Sequence, residues 1–369
     1  MPEPFKETIS RDFIKKLSAA LKGASPGFDG RSFVRKACPE GFSELGLMDR
    51  VGRVAEALGA HLPSDYGSAL KALFAVSEGF GGLPGFVFPR FVAEFGLTPE
   101  RFDRSMDALK RFTVGSSSEF GVRPFIRKDP ERALAHMRKW AGDANHEVRR
   151  LASEGARPRL PWGGFIPAFV KDPSPVLGIV EGLMEDPSLF VRKSLGNSLN
   201  DVSKDHPELF LEFSRKRLGK GELTDWILRR GARTLIKRKH GGALALFGYA
   251  AAPSSKADML ESASLGVSPA TVKIGSWAEL SYGVTLAKSF GGLVRLEYRV
   301  SYPPGPGKTP REKLFFLREK LMGEGSSLQG VRRVSFKDLS IRKQVPGKHT
   351  FELTVNGLSA AKASLALKR

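Results

Sequence analysis

Through the first 250 residues, apolar positions recur every three or four residues, the spacing of helices with one buried face. The pattern also repeats itself. KDPERALAHMRKWAGDANHEVRR from Lys128 aligns without a gap on KDPSPVLGIVEGLMEDPSLFVRK from Lys171, an offset of 43 residues. That offset pairs Asp129 with Asp172, Pro130 with Pro173, Leu134 with Leu177, Asp143 with Asp186, Val148 with Val191 and Arg149 with Arg192. A looser third copy runs through HPELFLEFSRKRL (206–218) and DWILRRGARTLIKRK (225–239). Each copy reads as a helix pair. Asp-Pro opens the first helix, with Asp accepting free amides at the N-cap and Pro at the first helical position. Thr98-Pro99 and Leu62-Pro63 mark further helix starts upstream.

A period near 43 falls in the range of HEAT and armadillo repeats, whose helix pairs stack into a curved solenoid. Near AAPSSKADMLESAS (251–264) the pattern changes to alternation: TVKIGSWAELSYGVTLA, GLVRLEYRVSYP, KLFFLREKLM, RRVSFKDLSI, GKHTFELTVNG and ASLALKR. These are short strands bounded by Gly, Pro, Ser and Asn, and their number predicts an antiparallel β-sandwich of immunoglobulin size. The expected organisation is therefore multidomain, α then β: a helical-repeat domain over residues 1–253, a linker over 254–264 and a β-sandwich over 265–369.

Charge adds a partner to this picture. The chain carries 59 Lys and Arg against 39 Asp and Glu, a net charge of +20. A chain this basic points to a polyanion, of which nucleic acid is the commonest. From Lys256 onward there are 19 basic and nine acidic residues, so the smaller domain is denser in positive charge and is expected to touch the same polyanion. The lone cysteine, Cys38, rules out an internal disulfide framework and reads as a buried structural thiol. Six scattered histidines form no zinc-protease pattern. MPEPFKETIS lacks an apolar signal core, and GGALALFGYAAAP (241–253) is too short for a bilayer, so a cytoplasmic protein without a membrane partner is expected.

One stretch concentrates the chemistry. HEVRRLASEGARPRLPW (146–162) begins as an amphipathic helix and ends where Pro158 and Pro161 forbid one. Arg149, Arg150, Arg157 and Arg159 could grip phosphate oxygens, and Trp162 offers a flat face to a base or sugar. The competing assignment buries Trp162 and pairs the arginines with Glu147 and Glu154. Trp140, Trp226 and Trp277 read as core, although Trp226 opens a helix beside Arg229, Arg230 and Arg233, so a nucleic-acid face is open there. KRKH (237–240) reads as backbone-contacting or solvated.

SSEFGVRPFIRKDPERAL (117–134), HEVRRLASEGARPRLPWG (146–163) and VRKSLGNSLNDVSKDHPE (191–208) make the resemblance specific. The chain resembles the AlkC-type alkylpurine DNA glycosylases of the HEAT-like-repeat superfamily, related to AlkD, from EPFKETIS to about residue 250. The β-rich tail is similar to the immunoglobulin-like domain of one subgroup. The resemblance implies a bacterial base-excision enzyme that removes cationic alkylated bases such as 3-methyladenine from double-stranded DNA, working as a monomer without a metal or redox cofactor. It implies catalytic carboxylates at Glu119 and Asp201 and an aromatic beside the lesion at Trp162. It implies DNA contacts from Arg149, Arg150, Arg157 and Arg159. The basic positions Arg192, Lys193, Arg229, Arg230 and Arg233 are further candidates for DNA contact. Gly196-Asn197-Ser198 departs from the family, where a more crowded helix face is expected. Without the resemblance, Glu119 could equally cap a helix or pair with Arg123, Asp201 could cap a helix end, and a non-catalytic nucleic-acid-binding or scaffold solenoid would serve as well.

Overall fold

A computed structural model describes residues 5–249, 256–304, 309–338 and 343–369. The chain forms two compact units, Met1–Arg233 and Thr234–Arg369.

The first unit is helical: α1 (Arg11–Ala24), α2 (Gly30–Ala37), α3 (Leu47–His61), α4 (Tyr66–Ser77), α5 (Val87–Phe95), α6 (Phe102–Thr113), α7 (Arg123–Lys128), α8 (Pro130–Ala141) and α9 (His146–Gly155). A two-stranded hairpin follows, β1 (Arg159–Leu160) with β2 (Gly164–Phe165). Then come α10 (Pro167–Lys171), α11 (Ser174–Glu181), α12 (Leu189–Asp205), α13 (Pro207–Arg215) and α14 (Glu222–Lys237), which runs past the division between the units. No helix among the described residues is long and apolar enough to cross a membrane.

Several helix starts follow from short polar caps. Ser10, Asp29, Asp65, Asp129 and Asn145 each accept a backbone N–H from the first turn of the helix they open. Asp129-Pro130 behaves as its sequence predicts. In the second copy Asp172 accepts the Ser174 amide and Pro173 is itself the cap. After Thr98-Pro99 and Leu62-Pro63 the chain makes a loop first, and the helices begin at Phe102 and Tyr66. Cys38, expected buried, is half-buried at the C-terminal cap of α2.

The 43-residue repeat is reproduced atom by atom. Asp143 accepts the Asn145 amide and Asp186 the Ser188 amide, both at 2.8 Å. Arg149 Nη1 donates to the carbonyls of Asp143 and Ala144, and Arg192 Nη1 to those of Asp186 and Pro187. Successive pairs are tied by a charge ladder, Lys110 to Asp143 at 2.6 Å and Arg149 to Asp186 through two bonds. The Lys110 ammonium holds the Asp143 carboxyl below its usual range, and the Asp186 carboxylate raises Arg149 above its own.

The second unit contains, among its described residues, α15 (Gly241–Leu246), α16 (Lys256–Met259) and the strands β3 (Leu260–Ser268), β4 (Thr271–Lys273), β5 (Trp277–Leu286), β6 (Gly292–Tyr302), β7 (Arg311–Met322), β8 (Ser327–Ser335), β9 (Gly347–Val355) and β10 (Leu358–Lys368). They form sheets in the orders β4-β10-β9-β6-β7 and β3-β5-β8, antiparallel except for β4 beside β10. Along β5, Ala278, Leu280, Tyr282, Val284 and Leu286 point into the core while Trp277, Glu279 and Ser281 face water. The segment expected as a linker holds α16 and the start of β3, while residues 254–255 lie outside the described residues.

Candidate active site

The stretch that drew attention in the sequence folds into a hairpin suspended from one buried arginine. Beyond α9 the chain extends because Pro158 and Pro161 exclude helix. Arg159 pairs with Phe165 and Leu160 with Gly164, leaving Pro161, Trp162 and Gly163 in the turn. Gly163 is closely packed: a Cβ there would lie 2.8 Å from the Leu160 side chain and 3.1 Å from Arg123, so a larger residue would make those side chains shift. Arg123, 1% exposed, donates to the carbonyls of Gly155, Arg157, Gly163 and Gly164. Burial pushes its pKa down to about 10. Arg127 adds bonds to the carbonyls of Gly163 and Phe165. Trp162 rides on this support with φ +63° and is 67% exposed. A non-glycine residue in the left-handed region costs of order 1–3 kcal/mol and persists only where its surroundings hold it, which Arg123 does here.

An unbroken chain of ion pairs connects the two expected catalytic carboxylates. Glu119 Oε2 lies 2.7 Å from Arg150 Nη1 and accepts a bond from the Ser117 hydroxyl. Arg150 also faces Glu154 Oε1 at 3.9 Å, and that same oxygen accepts from Arg157 Nη1 at 2.6 Å. Arg157 Nε in turn donates to Asp201 Oδ2 at 2.9 Å, while Lys204 Nζ donates to Oδ1 at 3.1 Å. Glu119 precedes α7, Arg150 and Glu154 share one face of α9, and Asp201 lies within α12, 1% exposed. Between α9 and α12, Ser153 bonds Ser194 at 2.7 Å, a contact small enough to let the helices approach. Asp201 is thus no helix-end cap, and Glu119 pairs with Arg150 while Arg123 is committed to carbonyls.

Several basic residues expected on DNA are committed inside the protein. Arg149 is held by Asp186 and two carbonyls, as described above. Arg157 is 6% exposed and its guanidinium is taken by Glu154 and Asp201. In this fold both brace the protein from within, each with a carboxylate already bonded along its fork. Arg233 donates to the carbonyls of Gly196 and Arg230 and to Asn197 Oδ1, and burial pushes it down to about 10. Arg159 is bonded twice to Asp205 and stacks on Phe165 at 4.7 Å, yet is partly exposed. Arg150 stacks on Phe190 at 4.5 Å. Lys193 and Arg229 are exposed. Arg192 and Arg230 both approach the ring of Trp226. Of the alternative partners weighed for the arginines, Glu154 fills that role, whereas Glu147 accepts the Gly115 amide.

Trp140 is core, at 3% exposure. Trp226 and Trp277 are not, at 38% and 47%, and Arg333 lies 4.0 Å over the Trp277 ring. Lys237, Arg238 and Lys239 are exposed. Gly196 is explained by packing: a Cβ there would meet the Arg230 stem at 2.6 Å, so the aliphatic part of that side chain supplies the crowding. Sequence reasoning missed Arg123 and Lys204 and treated Glu154 only as a possible counterion. Glu154, four residues after Arg150 and three before Arg157, stood at ion-pair spacing from both.

One measurement separates strut from phosphate ligand. Arg149→Ala leaves the buried Asp186 carboxylate without its cation, and is expected to cost about 3 kcal/mol of stability in denaturant unfolding. The salt dependence of DNA affinity should stay as in the wild type.

Residues 102–235 match the model of a family described as DNA alkylation repair enzyme. Residues 261–369 match that of the YhaZ C-terminal Ig-like domain. The chain is 39% identical over 352 residues to the Bacillus subtilis (strain 168) protein named uncharacterized protein YhaZ, covering 95% of this chain and 96% of the other. It is similar over the full length of both chains to Pseudomonas fluorescens alkylpurine DNA glycosylase AlkC bound to DNA containing an abasic site analog, with a TM-score of 0.84 and 34% identity. With its helical repeats, Ig-like tail and full-length match, the chain belongs to the AlkC-type alkylpurine DNA glycosylases.

Proposed function

We propose that this chain hydrolyses the N-glycosidic bond of cationic alkylated bases in duplex DNA, with Glu119 and Asp201 as the catalytic carboxylates and Trp162 against the lesion. The observation that carries the reading is the ionic chain from Glu119 through Arg150, Glu154 and Arg157 to Asp201, set beside a hairpin that displays an exposed tryptophan. The AlkC relative was captured with an analogue of an abasic site, which is the product of base removal.

The chemistry needs little else. Alkylation at N3 gives adenine a positive charge. When the bond from C1′ to the base breaks, both electrons go to the ring and it leaves neutral, so no proton need be donated. The sugar is left with oxocarbenium character. A carboxylate stabilises that charge, and a carboxylate also orients the attacking water and takes its proton as the new C1′–O bond forms. Ion pairing fixes both groups in place before the substrate arrives. Arg157, Lys204 and Arg150 serve as positioning residues, since they reach the reaction through Asp201 and Glu119.

Reading the base through a deep pocket is not required. The cavity next to Ser117, lined by Met48, Phe86, Phe120 and Pro124, measures about 50 Å³. A cavity of roughly 150 Å³ is what holds a benzene ring, and a purine is larger.

Trp162→Ala tests the reading. The side chain is mostly exposed, so the melting temperature should hold. Stacking on a nucleotide contributes roughly 1–3 kcal/mol, so excision of 3-methyladenine should fall about ten- to a hundredfold. Wild-type excision by the alanine variant would remove Trp162 from the lesion.

A further inference from the structure

We infer that Arg192, Arg230 and Trp226 form one subsite for the sugar-phosphate backbone, in which the two guanidinium groups take a phosphodiester and the indole supports the adjoining sugar. The inference rests on the DNA-repair reading above and names where one stretch of the strand is held.

The contrast with neighbouring arginines motivates it. Arg149, Arg157 and Arg159 are bonded to carboxylates, and Arg123 and Arg233 donate chiefly to carbonyls. Among the described residues neither Arg192 nor Arg230 has a carboxylate within ion-pair distance, and each buries an Nε that donates to nothing. Arg230 makes no side-chain hydrogen bond among the described residues. Yet both forks are drawn to one ring: Arg192 Cζ lies 6.0 Å from the Trp226 centroid and Arg230 Cζ 5.5 Å.

That arrangement is unfavourable as it stands. Two cations share one platform, and each keeps a buried donor without a protein partner. The cation–π contacts to Trp226 offset only part of that. The protein nevertheless builds the geometry firmly. The Arg230 stem lies on Gly196, and Arg192 is anchored at Nη1 by the Asp186 and Pro187 carbonyls, leaving the rest of its fork unbonded. Burial lowers the Arg230 pKa, with the charge of Glu154 acting against that, so the subsite feels the field of the same ionic chain that holds Asp201. The missing component is an anion with several acceptor oxygens, and planar guanidinium forks match phosphate in that way. Trp226, 38% exposed, supplies an apolar face against which a deoxyribose can rest.

The test is a methylphosphonate walk with the full chain. Single neutral methylphosphonates are placed at successive positions along a duplex carrying one alkylated base, and affinity and single-turnover excision are measured. For the wild type, one position or two successive ones should weaken binding roughly tenfold, as expected when a charge-assisted hydrogen bond is lost. Arg230→Gln and Arg192→Gln should show the same loss on unmodified DNA, no further loss at those positions, and a log–log salt slope smaller by about 0.9. Arg230→Gln should melt at or above the wild-type temperature, because it removes an orphaned guanidinium; a structural arginine would lower it. If both variants follow the wild type at every position with unchanged salt slopes, the subsite is overturned while wild-type excision leaves the enzymatic reading standing. A wild-type chain that binds no duplex DNA overturns both.

Discussion

Replacing Asp201 with asparagine is expected to lower single-turnover excision of 3-methyladenine by about 100- to 1000-fold, the usual loss when one preorganised electrostatic group is removed from an active site. Asparagine preserves shape and can still accept a bond from Arg157, so the effect isolates charge. Duplex affinity should hold or rise, since a negative group near phosphates is lost. Glu119→Gln should behave in the same direction, with Ser117 still able to donate to the amide oxygen. The rates should not multiply in the double variant, because the ionic chain couples the two sites through Arg150, Glu154 and Arg157. Wild-type excision by both single variants would contradict the assignment of the carboxylates.

The helical unit was legible because its signals are local. A gapless 43-residue offset, Asp caps and three-to-four spacing each need only a few neighbouring residues, and the structure repeats them to the level of matching Arg149 and Arg192 bonds. Strands β5, β6, β7, β9 and β10 were legible in the same way, from period-two alternation. Strand β3 was not. LESASLGVS is mostly small and polar, and of its nine residues only Leu260 is fully buried, so its pairing with β5 comes from backbone bonds that alternation does not announce.

The site was half legible. Glu119, Asp201 and Trp162 came through resemblance to a family, and the extended hairpin through its prolines. What spacing did not show was how the charges are partnered. Arg149 and Arg157 look identical to Arg192 and Arg230 in sequence, yet the first two meet buried carboxylates 37 and 44 residues away, and among the described residues the second two meet none. A guanidinium's fate is set by long-range packing, which composition and spacing do not encode. Trp277 was misplaced for a related reason: it opens β5, and whether the first residue of a strand faces in or out depends on register.

Substrate choice follows from what the site holds and tests the account as a whole. The chain from Glu119 to Asp201 holds only carboxylates and arginines, and none of them is suited to give a proton to a departing base: ion-paired carboxylates accept hydrogen bonds, arginine does not release its proton, and the neighbouring Lys204 ammonium is engaged with Asp201. A base that is already cationic leaves neutral and needs no such donor. Hypoxanthine or uracil would have to leave as an anion. Discrimination then comes from the lability of the lesion and from access of Glu119 and Asp201 to the sugar, so the expected ratio of rates is at least as large as the 100- to 10,000-fold that a positioned general acid usually contributes. The decisive measurement is single-turnover excision by the wild-type chain from matched duplexes bearing 3-methyladenine, hypoxanthine or uracil at one position. The account predicts rapid release of 3-methyladenine and no measurable release of the two neutral bases. Release of hypoxanthine at a rate comparable with 3-methyladenine would contradict it.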